Sequence, residues 1–289
     1  MAADQDSETP PVPKIWARLM LLLLGLLVVV LGALYAGQRG LIYFPSRLDP
    51  GRFTETVRAT FGARATILAP FYAVVIEPPA TVTVRATAIL FHGNAGAAID
   101  RGYLVPVFSS RGLRLVLAEY PGYGPRDGSP AERALVDDGD ALYAAVLQRY
   151  PNVPIVLVGE SLGAGVAVQV AVHQERQPPV RLVLLTPFLS LTETAARAYP
   201  FLPVRYLMKD RFDSAGQVAR YRGPIAILVA AKDEVVGPAQ GRALAAIAGS
   251  RGETTYVEIP EAGHNSWTAL ATDDQWTELL GRPPIPARP

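Results

Sequence analysis

Hydrophobic positions along this chain fall into one long run and a series of short ones. Leu19 to Gly37 carries no charged residue and consists mostly of Leu, Val, Ala and Gly, a stretch that as a helix nearly spans a bilayer. Further on, apolar runs bounded by turn residues recur at Tyr72–Ile76, Ala86–Phe91, Leu113–Ala118, Ile155–Val158, Leu182–Leu185, Ile225–Ala230 and Thr255–Ile259. These are predicted strands. From Ala86 onward the runs are nearly continuous in apolar residues, as expected of strands buried on both faces of a parallel sheet. Helical candidates lie between them. Pro130–Tyr150 opens with Ser129 and Glu132 in capping-box spacing and with proline at its first position; Leu162–His173, Ala239–Ile247 and Trp267–Ala271 follow. The alternation predicts an α/β fold with a mostly parallel, doubly wound sheet whose ligands bind outside the carboxyl ends of the strands. Residues 188–223 interrupt it with short helix-like pieces and prolines, and are predicted to be a small lid inserted over the site.

The long apolar run organises the rest. Residues 1–14 are predicted to be a disordered tail, 15–38 a single-pass transmembrane anchor, 41–280 one α/β domain, and 281–289 a tail. Trp16 and Tyr35 stand where an interfacial aromatic belt would lie. A cleaved signal peptide is the alternative. The run exceeds the usual length of a signal core, and Leu34 and Tyr35 are bulky where a cleavage site wants small residues, so the anchor is expected to stay. Lys14 and Arg18 on one side are set against Arg39, Arg47 and Arg52 on the other, a near balance that leans towards a periplasmic domain.

Charge and composition narrow the function. The formal net charge is +1 and the basic residues are scattered, so no block exists to track a phosphate backbone and nucleic acid is not an expected partner. With no cysteine, neither a disulfide framework nor a thiolate metal site is possible. Nothing in the sequence speaks to oligomeric state.

Candidate chemistry centres on Gly159-Glu160-Ser161-Leu162-Gly163. GxSxG spacing alone is common, but here a predicted strand precedes it and a small-residue-rich helix follows, the strand-to-helix turn that exposes a nucleophilic serine. Gly159 and Gly163 leave room around the strained serine. A serine hydroxyl needs a positioned base, and three histidines are available. His173 lies twelve residues along the same predicted helix, roughly 18 Å away at about 1.5 Å per residue. His92, at the end of a strand, is better placed to brace a loop. His264 follows the last strand in Gly263-His264-Asn265 and is the candidate base. Its acid is Asp233, in the loop after Ile225–Ala230, with neighbouring Glu234 as competitor. Oxyanion donors are expected from the backbone amides of Leu162 and Asn94, the latter in His92-Gly93-Asn94-Ala95-Gly96, where Gly93 lets the backbone turn towards substrate.

These residues, with Leu41-Ile42-Tyr43-Phe44-Pro45, Tyr120-Pro121-Gly122-Tyr123-Gly124, Gly128-Ser129-Pro130-Ala131-Glu132 and Arg211-Phe212-Asp213-Ser214, resemble the α/β-hydrolase superfamily, specifically its membrane-anchored Bem46-like and abhydrolase-domain-containing members. The resemblance runs from about Leu41 to Trp267. It implies an α/β-hydrolase fold and the same triad of Ser161, Asp233 and His264, without metal or cofactor. The family often has Arg-Gly-Tyr-Gly-x-Ser where this chain has Pro121-Gly122-Tyr123-Gly124-Pro125-Arg126, and a second glycine where Ala164 stands; neither departure touches the triad. The expectation is a membrane-anchored serine hydrolase of acylglycerols, lysophospholipids or fatty-acyl esters or thioesters, with apolar lid residues Leu202, Val204 and Leu207 over the acyl chain. A peptidase or protein-acyl thioesterase would use the same triad, and a catalytically silent, membrane-tethered binding module would lack part of it.

Overall fold

The computed structural model describes residues 14–281; the predicted tails 1–14 and 281–289 lie outside them, save Lys14 and Gly281. Contacts divide the chain into a unit ending at Leu41 and one beginning at Ile42. The first holds helix α1, Lys14–Gly37, followed by a 3-10 turn over Gln38–Leu41. None of its side chains is buried, and its mean hydropathy over the most apolar stretch is 2.8. Twenty-four residues at about 1.5 Å each give roughly 36 Å, long and apolar enough to cross a bilayer.

The second unit is built on eight strands: β1 Ala65–Leu68, β2 Ala73–Ile76, β3 Ala86–Phe91, β4 Leu113–Ala118, β5 Ile155–Glu160, β6 Arg181–Leu185, β7 Ile225–Ala230 and β8 Thr254–Ile259. They lie in the order β8-β7-β6-β5-β3-β4-β2-β1. All neighbours from β8 to β4 are parallel, and β2 and β1 are added antiparallel at one edge. The helices are α2 Pro50–Phe61, α3 Val105–Ser110, α4 Glu132–Arg149, α5 Leu162–His173, α6 Leu191–Ala198, α7 Val204–Leu207, α8 Ser214–Arg220, α9 Pro238–Gly249, α10 Trp267–Leu270 and α11 Asp273–Leu280.

Why the central strands are apolar at nearly every position is clear from what covers them. Ile89, Leu157, Leu184 and Ile227 point into a layer with Leu135, Val146, Val166 and Leu244 of α4, α5 and α9. Their neighbours Leu90, Val158, Val183 and Leu228 point into the opposite layer, with Phe108, Trp276 and Leu279 of α3 and α11. Each such side chain contributes about 1.5–3 kcal/mol by leaving water. Strand β1, half-exposed at the edge, has no such pattern and is absent from the expectation.

The start of α4 differs from the capping box read from Ser129 and Glu132. The helix begins at Glu132 after Ala131, whose side chain makes no cap. The Glu132 amide instead donates to Asp210 Oδ1 at 3.2 Å, so an acid far along the chain takes the place of the local serine. The Glu132 carboxylate is committed elsewhere, accepting from the Arg211 amide at 2.6 Å and from Gln169 at 3.0 Å.

Residues 188–223 form α6, α7 and α8. Both ends belong to the core. Phe188 and Phe212 are buried where Gly165 of α5 leaves room for them, and Leu191 N to Arg211 O (2.8 Å) and Ala215 N to Leu189 O (2.9 Å) tie the ends together. Only the middle, around Tyr199–Tyr206, projects into solvent.

Candidate active site

Strand β5 ends at Glu160, α5 begins at Leu162, and Ser161 makes the turn between them at φ +52°, ψ −114°. A non-glycine residue there holds about 1–3 kcal/mol of backbone strain, which the surroundings must hold in place. They do so by donation from Ser161 N to Leu185 O and from Ala164 N to Ser161 O, both 2.9 Å. Close passage of the backbones requires glycine on either side. A Cβ at Gly159 would lie 2.6 Å from Ala164 N, and one at Gly163 would lie 2.5 Å from the Phe91 carbonyl carbon. Because the obstacle at Gly163 is the backbone of a central strand, Gly163→Ala is expected to cost about 3 kcal/mol. For a unit of this size that is a fall in Tm of roughly 6–12 °C, read by thermal unfolding of the purified chain; an unchanged Tm would contradict this packing.

The three residues singled out in the sequence are brought together. His264 Nε2 lies 2.8 Å from Ser161 Oγ and His264 Nδ1 lies 2.7 Å from Asp233 Oδ2. With a carboxylate at Nδ1, that nitrogen carries the proton and Nε2 is left to accept from the serine hydroxyl. Asp233 and His264 are buried. Burial pushes the Asp233 carboxyl up, but its bond to and charge interaction with His264, together with the amides of Val236 and Gly237, outweigh this and hold it below its ordinary value. A depressed carboxylate contributes stability that is present above the ordinary carboxylate range and lost as pH falls through the lowered value.

The loop after β7 shows why Asp233 and not Glu234 faces the imidazole. Asp233 Oδ1 accepts from the amides of Val235, Val236 and Gly237 at 3.0, 2.8 and 3.4 Å, which turns Oδ2 towards His264. Glu234 points to the other side of the turn and accepts from the His264 backbone amide at 3.1 Å. It positions the histidine loop without touching the ring.

Gly93 lies beside the serine, since a Cβ on it would be 3.7 Å from Ser161 Cβ, and Asn94 follows it in the chain. Asn94 is pinned through its other groups: its side chain donates to Ile42 O at 2.8 Å, and its carbonyl accepts from Phe44 N at 2.9 Å and Tyr123 Oη at 2.7 Å. Among the described residues, the amides of Asn94 and Leu162 have no protein acceptor. His92, fully buried, sits under this loop with Nε2 3.3 Å from Glu119 and its ring against Tyr120 and Tyr123. His173 is on the surface, 2.8 Å from Asp140.

One contact has no signal in the sequence. Arg101 Nε donates to Glu160 Oε2 at 2.8 Å and Nη1 to Ala95 O at 3.2 Å, so a single guanidinium joins the Gly93–Gly96 loop to the residue before Ser161. Neither side chain belongs to a recognisable spacing, and only the fold brings them together. Among the described residues no cluster of His, Asp and Glu has the arrangement of a metal site.

Comparison with known proteins extends this picture. The family described as Serine aminopeptidase, S33, matches residues 83–213, a stretch that includes Asn94 and Ser161 and ends before Asp233. An uncharacterized protein of Mycobacterium tuberculosis is 34% identical over 248 residues, 82% of this chain and 83% of its own. The lysophosphatidylserine lipase ABHD12 of Danio rerio is 36% identical over 166 residues, 51% of this chain and 43% of the lipase. Among solved structures, the Pyrococcus furiosus esterase Pf2001 superposes with a TM-score of 0.64 at 14% identity, over 84% of this chain and 97% of the esterase; at that identity the likeness is one of fold. Shared sequence across most of both chains places this chain in one family with the mycobacterial protein, and the matched hydrolase family model together with the sequence shared with ABHD12 makes it an α/β-hydrolase of the Bem46- and ABHD-like kind.

Proposed function

We propose that this chain is a membrane-anchored hydrolase of carboxylic esters that acts on lipid acyl esters, acylglycerols or lysophospholipids, through an acyl-enzyme on Ser161. The observation that carries the reading is the unbroken line from Asp233 through His264 to Ser161, with bonds of 2.7 and 2.8 Å, ending at a serine held in a strained turn. In this mechanism Ser161 Oγ attacks the acyl carbonyl as His264 Nε2 takes its proton. The tetrahedral oxyanion accepts from the amides of Leu162 and Asn94. Collapse breaks the ester bond, the alcohol leaves with the proton from His264, and the acyl group stays on Oγ. A water then gives its proton to His264 and attacks the acyl-enzyme, releasing the fatty acid and restoring the serine.

Support for a lipid substrate comes from α1, which is long and apolar enough to hold the enzyme where lipid esters are concentrated, and from the likeness to a lysophosphatidylserine lipase. The match to a family described as serine aminopeptidases favours a second reading, aminopeptidase action, because one triad serves both ester and amide transfer. The test uses the full chain in nanodiscs, supplied in parallel with monoacylglycerol, lysophosphatidylserine, lysophosphatidylcholine and an aminoacyl nitroanilide. Release of fatty acid from at least one lipid, at a kcat/KM at least about 100-fold above that for the anilide, is the expected result. Turnover of the anilide alone would replace the ester reading by the peptidase one.

A further inference from the structure

Among the described residues of the hydrolase domain, the most exposed large apolar side chains are not scattered. Phe201 is 97% and Tyr206 86% exposed, with Tyr199 at 52% close by in sequence. They belong to Tyr199-Pro200-Phe201-Leu202-Pro203-Val204-Arg205-Tyr206-Leu207-Met208, in which Arg205 is the one charged residue. Arg197, Lys209 and Arg211 flank it, all exposed, and Arg205 is paired with Glu193 at 3.0 Å. Single exposed apolar residues are ordinary, but grouped aromatics rimmed by cations mark a contact surface. An apolar ring at Phe201 and rings with a polar hydroxyl at Tyr199 and Tyr206, next to Arg and Lys, suit the boundary between acyl chains and anionic headgroups.

We infer that the Tyr199–Tyr206 tip is a second membrane contact of this protein, its aromatics immersed in the interface of an anionic phospholipid bilayer and the flanking cations Lys209 and Arg211 against the headgroups. The inference rests on the proposed membrane anchoring, because a tether through α1 makes the bilayer the surface that the domain meets at the highest effective concentration. The tip is also coupled to the chemistry. Helix α6 and the residue Leu189 before it are tied to the first turn of α9, which follows the loop carrying Asp233: Gln240 donates to Thr194 Oγ1 at 3.2 Å and accepts from Leu189 N at 3.1 Å, and the Arg197 guanidinium lies against Gly237, whose amide faces Asp233. A docked tip therefore holds the ester-cleaving site next to lipid, and the substrates it favours are those presented in a membrane.

The chain has no cysteine, so single substitutions give single labelled sites in the full protein. Phe201→Cys, Leu24→Cys in α1 and Gln148→Cys on the exposed side of α4 are labelled with the fluorophore NBD and reconstituted in vesicles of phosphatidylcholine with phosphatidylglycerol, with and without doxyl-labelled lipid. Expected are a blue-shifted emission and at least twofold quenching at positions 201 and 24, and neither at 148. Quenching at 24 with position 201 behaving like 148 overturns the tip contact and leaves the anchor standing. Absence of quenching at both overturns the two together, and quenching at 201 alone supports the tip while the anchor fails. Undiminished quenching at 201 in pure phosphatidylcholine overturns the role given to the cations. As a second measurement, Phe201→Ser with Tyr206→Ser should lower hydrolysis of vesicle-borne ester at least about fivefold and leave hydrolysis of a water-soluble nitrophenyl acetate unchanged; equal loss on both overturns the proposal.

Discussion

Ser161→Ala is expected to leave the folded protein unlabelled by a fluorophosphonate and to lower kcat for ester hydrolysis by roughly 10⁶-fold, the size of loss seen when a triad nucleophile is deleted. The expectation follows from the local geometry. Ser161 Oγ is the group 2.8 Å from His264 Nε2, and alanine has nothing for that base to activate. The fold should survive. Ser161 is held by its backbone, through Leu185 O and Ala164 N, and alanine keeps the Cβ and the same φ restriction, so Tm should move by no more than a few degrees. A variant that folds and still labels would remove Ser161 from the mechanism. A wild type that does not label would point to a misread oxyanion site, since phosphonylation draws on the same amides of Asn94 and Leu162 as acyl transfer.

How much of this was legible in the sequence depends on how local the cause is. The strands from Ala86 to Ala230 are set by composition, because each is covered on both faces and admits apolar residues almost throughout. The serine turn is legible for the same reason: strand, glycine, serine, glycine and small-residue helix are contiguous. Helix α2 carries a local signal, with Asp49 accepting from the Gly51 and Arg52 amides and proline at its start, but its few apolar positions make no stripe long enough to predict a helix. The cap of α4 departs from the expectation because Asp210, 78 residues away, supplies what the sequence predicts of Ser129. Long-range partners of this kind, like Arg101 with Glu160 or Glu234 with the His264 amide, have no spacing to recognise. They exist only after the sheet has brought separate loops to one edge.

Asp233→Asn is the sharpest test of how the site works, because its effect on chemistry and its effect on folding should part company. Asp233 Oδ1 accepts from three successive amides, at Val235, Val236 and Gly237. In asparagine only the carbonyl oxygen can accept, so those amides hold it in the Oδ1 position and the side-chain NH₂ is turned towards His264. That group donates to Nδ1 where the carboxylate had accepted from it. The imidazole is driven to the other tautomer, its proton moves to Nε2, and the nitrogen facing Ser161 can no longer take a proton. The cationic imidazole formed on attack also loses the negative partner 2.7 Å away. A fall in kcat of roughly 10⁴-fold is expected, as for the same change in other triads, with Tm within about 3 °C of the parent because the amides of the turn stay satisfied. Asp233→Ala should do the reverse in one respect, losing activity and also destabilising the loop, since three buried or half-buried amides are left without an acceptor. Near-normal kcat in Asp233→Asn would mean that the base works without a carboxylate behind it, and the role assigned to Asp233 would pass to structure alone.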